Sequence, residues 1–109
     1  MKKLILMRHA KSDWNHRNLS DHQRPLNSRG KRDALRMGAL LQRESVEIDA
    51  IFCSTAHRTR ETLALLFEEY TFEGDVHFVK ELYEADLHDY LDILAELPDD
   101  VESAMLIGH

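Results

Sequence analysis

An α/β architecture is the fold class this sequence predicts: three layers, α/β/α, around a mainly parallel sheet. Three observations predict it. Short apolar bursts alternate with stretches of helical periodicity along the chain. Each burst, at residues 4–7, 50–53, 76–79 and 105–107, has strand length. The first, second and fourth bursts run into Arg8-His9, "CSTAHRTRET" and Gly108-His109, polar chemistry of the kind that open parallel sheets deliver at the carboxyl ends of their strands.

In chain order, residues 4–7 form the first strand. Residues 10–27 are polar and too long for a plain connector, so they read as a binding loop. Ser12 and Asp13 are expected to shape that loop and Trp14 to anchor it by packing. Ser28 is expected to cap a helix whose apolar face is Ala34, Met37, Gly38 and Leu41, with Lys31, Arg32 and Arg36 outside. Residues 50–53 form the second strand. Ser54 or Thr55 then caps a helix carrying Leu63, Leu66, Phe67 and Tyr70 at i, i+3, i+4 and i+7. Gly74 ends that region, and residues 76–79 form the third strand. Asp86 caps a third helix with Leu87, Tyr90, Leu91, Leu94 and Leu97. Pro98 and two aspartates make a turn before the strand at 105–107. A covering helix is expected after such a strand, so the 109 residues are expected to form one domain lacking its C-terminal part.

The balance of 14 basic against 20 acidic residues gives a net charge of −6, which disfavours a general nucleic-acid or anionic-membrane binder. Local basic clusters are therefore the informative ones. One cysteine, Cys53, excludes an intrachain disulfide; set in an apolar burst it reads as a small buried hydrophobe. No apolar run has the length of a bilayer span or a signal peptide, and a cytoplasmic setting is the default expectation.

Three strand ends would bring Arg8, His9, Arg58 and His109 to one mouth. Arginine binds phosphate oxygens through paired N–H donors. A neutral imidazole can attack phosphorus and carry the phosphoryl group. Neighbouring cations would lower the pKa of His9 and favour that neutral form. A backbone carbonyl holding one ring N–H would aim the other nitrogen at phosphorus. The chemistry calls for no metal or cofactor. Lys11 could attract anions or be merely solvated. Arg24 and Arg29 read as loop and helix-start residues, and Arg60 as surface. A metal-dependent hydrolase built on His16, His22, Asp21 or His88-Asp89 lacks a strong ligand spacing.

These stretches carry a resemblance. "LMRHAKSDWN" resembles the Arg-His-Gly/Ala signature of the histidine phosphatase superfamily, with its phosphoglycerate-mutase-like fold. "STAHRTRET" resembles its Ser-x-x-x-Arg-x-x-x-Thr motif, here Ser54, Arg58 and Thr62, and "LIGH" its strand bearing a second histidine. "RHAKS", "RPLNSRG" and "ELYEA" look most like the SixA-type phosphohistidine phosphatase branch. The resemblance implies His9 as nucleophile, Arg8 and Arg58 as phosphate clamp and His109 as second pocket histidine. It further implies Asn15 lining the phosphate site and Glu84 as the acid. It implies a metal-independent phosphatase acting on phosphohistidine of a signalling protein, so that the partner is phosphate or a phosphorylated protein. A phosphatase of small phosphomonoesters and a non-catalytic phosphate-binding module are the alternatives.

Overall fold

The computed structural model describes residues 3–14, 18–83 and 85–109, the side chain of Leu87 excepted. Strands β1 (Lys3–Arg8), β2 (Ala50–Ser54), β3 (Asp75–Val79) and β4 (Ser103–Gly108) alternate with helices α1 (Ser28–Arg43), α2 (His57–Glu69) and α3 (Leu87–Ala95). One-turn 3-10 segments lie at Asp21–Gln23 and Lys80–Leu82. The strands form one sheet in the order β1-β4-β2-β3, and every pairing is parallel.

β4 sits between β1 and β2, and all six of its residues are buried. Its run Ser-Ala-Met-Leu-Ile-Gly carries no charge, as a strand covered on both faces requires. Alternate residues supply two cores. Ile51, Cys53, Met105 and Ile107 pack with Leu41 of α1 and Leu63 and Leu66 of α2. Ala104 and Leu106 pack on the opposite face with Leu82, and Tyr90 and Ile93 of α3 close over them. The expected three layers are thus present. Gly38 lets α1 approach α2 closely: a Cβ there would collide with the Leu66 backbone, whose Cα and carbonyl carbon would lie at 3.0 Å. Gly30, in the first turn of α1, likewise lies against the Lys11 backbone and ties the 10–27 segment to the helix.

Local expectations are met unevenly. Asp86 caps α3, and Asp89 reciprocates in a capping box. α1 is capped one residue earlier than expected: Asn27 Oδ1 accepts from Gly30 N at 2.8 Å, and Ser28 is the first helical residue. Neither Ser54 nor Thr55 caps α2, whose N-cap is Ala56. Both hydroxyls are committed elsewhere, Thr55 to His22 and Ser54 to His109. Ala34, Gly38 and Leu41 are buried as expected, but Met37 is exposed, as is Leu91 on α3. Cys53 is fully buried, and burial pushes its thiol up to about 12. No helix among the described residues is long and apolar enough to cross a membrane.

Candidate active site at the carboxyl ends of β1, β2 and β4

The register places the site. Arg8 is the Cα partner of Gly108, and His9 N donates to the Gly108 carbonyl at 3.1 Å, so the ends of β1 and β4 lie side by side. β2 runs along the other edge of β4 and leads into α2, whose first turn carries Arg58. The chain thereby brings together His9, Arg58 and His109, residues far apart in sequence.

Arg58 is the hub. It is 5 % exposed, and its Nε donates to His9 Nε2 at 3.4 Å. Its Nη2 donates to His109 Nδ1 at 3.2 Å, and the two imidazole rings stand 5.2 Å apart. Because a guanidinium only donates, both contacted nitrogens are lone-pair acceptors. His9 Nδ1–H correspondingly donates to the Ala10 carbonyl at 2.6 Å, and His109 Nε2–H to Ser54 Oγ at 2.9 Å. Each ring is therefore held in one neutral tautomer, and the lone pair of His9 is on Nε2.

The electrostatics agree. The pKa of His9 is lowered, first by burial and then by the charges of Arg58, Arg8 and Arg24, against the raising effect of the Ala10 carbonyl. The expectation named the cations; burial is the larger cause. His109 is pushed down to about 4 by burial, by Arg58 and by His9. The backbone aiming His9 is itself fixed: Ala10 N donates to Thr62 Oγ1 at 3.2 Å, and that hydroxyl donates to the Arg58 carbonyl at 2.7 Å. The spacing Arg58–Thr62 is thus one helical turn that both presents the guanidinium and grips the loop beneath the imidazole.

Arg8 is exposed and lines two pockets, one of about 330 Å³ with His109 and one of about 380 Å³ with His9. Lys11 is exposed on the rim of the second. Asn15 and Glu84, expected in the site, lie outside the described residues, as does His16. Arg60 is on the surface, as expected.

Sequence reasoning missed a polar cluster behind Arg58. Asp21 accepts from Arg58 Nη1 through its carbonyl at 2.6 Å and from Nη2 through Oδ2 at 3.1 Å. The same carboxylate accepts from Tyr83 Oη and, at 3.1 Å, from Arg24 Nη2. The Tyr83 hydroxyl and the two arginines hold Asp21 well below the usual carboxylate range. Burial, and then Asp21, push the Tyr83 phenol up. Tyr83 also meets the rings of His109 and His22 edge-on, at 5.3 and 4.9 Å. Arg24, read as a loop residue, is 8 % exposed, and its Nη1 donates to the buried Ser12 hydroxyl. Arg24 stands in "RPLNSRG" and Tyr83 in "ELYEA", stretches the resemblance singles out, whereas Asp21 reads from the sequence only as a candidate metal ligand. Trp14, expected to be packed, is 74 % exposed, and its contact is the Arg24 guanidinium 3.5 Å from the ring centroid.

A parallel α/β sheet with two neutral histidines around a buried arginine at its carboxyl end defines a candidate anion site of an α/β protein. The comparisons give the family: residues 4–105 match the histidine phosphatase superfamily (branch 1), and the chain belongs to it. The SixA protein of Agrobacterium tumefaciens superposes with a TM-score of 0.91 at 31 % identity, over 99 % of this chain and 69 % of that one. The protein histidine phosphatase SixA complexed with tungstate superposes with a TM-score of 0.82 at 25 % identity, over 97 % and 68 %. An uncharacterized protein of Mycobacterium tuberculosis is 34 % identical over 103 residues, 94 % of this chain. The chain spans 62 % of that relative's length, less than two thirds. The branch within the family is SixA-like, as the motifs implied.

Proposed function

We propose that this chain belongs to the catalytic domain of a metal-independent phosphatase that works through a phosphohistidine at His9, with protein-borne phosphohistidine as its substrate. The observation that carries the reading is the His9–Arg58–His109 triangle, with the His9 lone pair fixed on Nε2 facing the guanidinium. The SixA relative is complexed with tungstate, a tetrahedral oxyanion, which supports an oxyanion as the ligand of this chain.

In this mechanism the phosphoryl oxygens take Arg58 and Arg8 as donors, Asn15 lines the site and Lys11 adds positive potential at the rim. His9 Nε2 attacks phosphorus, forming an N–P bond as the bond to the leaving group breaks. The leaving atom takes the electron pair: a phosphohistidine ring protonated at its far nitrogen departs as neutral imidazole, whereas a poorer leaving group also takes a proton, from Glu84. An imidazole leaves more readily than an alkoxide, which favours phosphohistidine. Water then attacks phosphorus, the N–P bond breaks, the electron pair returns to Nε2, and inorganic phosphate departs. Arg58 gives up its bond to His9 Nε2 at the attack, and Nδ1–H on the Ala10 carbonyl stabilises the positive charge the ring acquires.

The test is single turnover of a radiolabelled phosphohistidine peptide in excess chelator. Acid-labile label should appear on the enzyme and vanish in His9→Ala. Labelling that survives in His9→Ala, or turnover that needs an added divalent ion, would overturn the mechanism.

A further inference from the structure

Trp14 is an exposed indole at the edge of a charged pocket. One face of it is taken. Arg24 lies over that face at 3.5 Å, and Arg24 cannot shift, because Ser12 and Asp21 hold its two terminal nitrogens. Its Nε is buried with no hydrogen-bond partner among the described residues, so the guanidinium is oriented at the expense of one donor. What that expense secures is a fixed ring. The pocket of about 380 Å³ beside the ring is lined by Arg8, His9, Lys11, Ser12, Trp14 and Arg24, so His9, the indole and the arginine that holds it share one cavity. Its volume exceeds that of a single phosphoryl group. Space remains for what the phosphoryl group is attached to.

We infer that Trp14, held on one face by Arg24 and otherwise exposed, is a stacking platform for a flat, ring-bearing leaving group, and so a specificity-determining residue of this site. The inference rests on the proposed phosphatase reading and sharpens its substrate class. Imidazole of phosphohistidine fits; an aliphatic phosphoserine side chain has no face to offer. Offset stacking of an aromatic ring on the free indole face adds attraction for the ring substrate alone.

Trp14 is the single tryptophan of the chain, so its emission reports on the platform without any turnover. In His9→Ala, titration with phosphohistidine should quench and shift the emission. Phosphoramidate, with the same P–N bond and no ring, and inorganic phosphate should not. An equal response to all three, or none to phosphohistidine, overturns the platform. In otherwise unaltered enzyme, the ratio of kcat/KM for phosphohistidine to that for phosphoramidate should fall about tenfold in Trp14→Ala. Trp14→Phe should recover most of it; an unchanged ratio overturns the inference. Failure of the phosphatase reading shows differently, as absence of label on His9, while the emission readout stands apart from it.

Discussion

Thr62→Val tests how His9, the proposed nucleophile, is aimed. Valine matches threonine in shape but removes the acceptor for Ala10 N, a bond of 3.2 Å to a hydroxyl that is 2 % exposed. An amide left unpaired costs about 1–3 kcal/mol, and Ala10 is half-buried, so the low end, about 1 kcal/mol, applies. For a domain near this size that is a melting-point fall of about 4–8 °C. The same peptide carries the carbonyl that holds His9 Nδ1 at 2.6 Å. Releasing its N–H lets the plane rotate and loosens the imidazole. If a similar free energy is lost from the transition state, phosphorylation of His9 slows by about fivefold to tenfold. Thermal melts and rapid-quench labelling of Thr62→Val and Thr62→Ser measure both, and the serine variant should recover most of each. A valine variant that melts and labels like the wild type refutes the hydrogen bond's role. One that melts lower but labels at the wild-type rate refutes its coupling to His9.

Arg58→Lys keeps the charge but cannot serve His9, His109 and Asp21 from one fixed plane, so His9 labelling should slow by about a hundredfold; a change under threefold would refute the clamp. The depressed pKa values of His9 and His109 mean that the unfolded chain binds more protons between the usual histidine value and about 4, so stability falls as pH drops through that window. Denaturant melts against pH should show this slope, reduced in His109→Asn. The same shifts keep His9 neutral below its ordinary pKa, so labelling should persist at mildly acidic pH, and a rate that halves near 6.5 would contradict it. Gly38→Ala should destabilise by about 1–3 kcal/mol by chemical melt, despite alanine's better helix propensity, because the new Cβ meets the Leu66 backbone.

The parts of the fold and site that were legible in sequence share a property: their signal is local. A four-residue apolar burst marks a strand, and Arg8-His9 or Arg58 with Thr62 carries its meaning within one turn. The polar cluster behind Arg58 has no such signal. Asp21 gains its partners from Arg24, Arg58 and Tyr83, which belong to three separate segments, and no periodicity announces that meeting. Trp14 misleads for a related reason: an indole in a loop reads as a packing anchor, whereas its neighbour is a buried cation whose burial only the tertiary structure supplies. The caps of α1 and α2 shift by one or two residues because competing side chains, Asn27 for one and His22 and His109 for the other, decide which hydroxyl is free.

The strand order also dictates a sequence of events in time. Of these four strands β1 is synthesised first, yet its partner in the sheet is β4, residues 103–108. Until β4 slides between β1 and β2, the first strand has no ladder and His9 has no Gly108 carbonyl to bind. These are the longest-range pairings in the fold, and closing them is the slow step of such topologies. A nascent chain can thus bury β2, α2 and β3 early, while Arg58 waits without either histidine. The meeting of His9, Arg58 and His109 therefore waits on the insertion of β4.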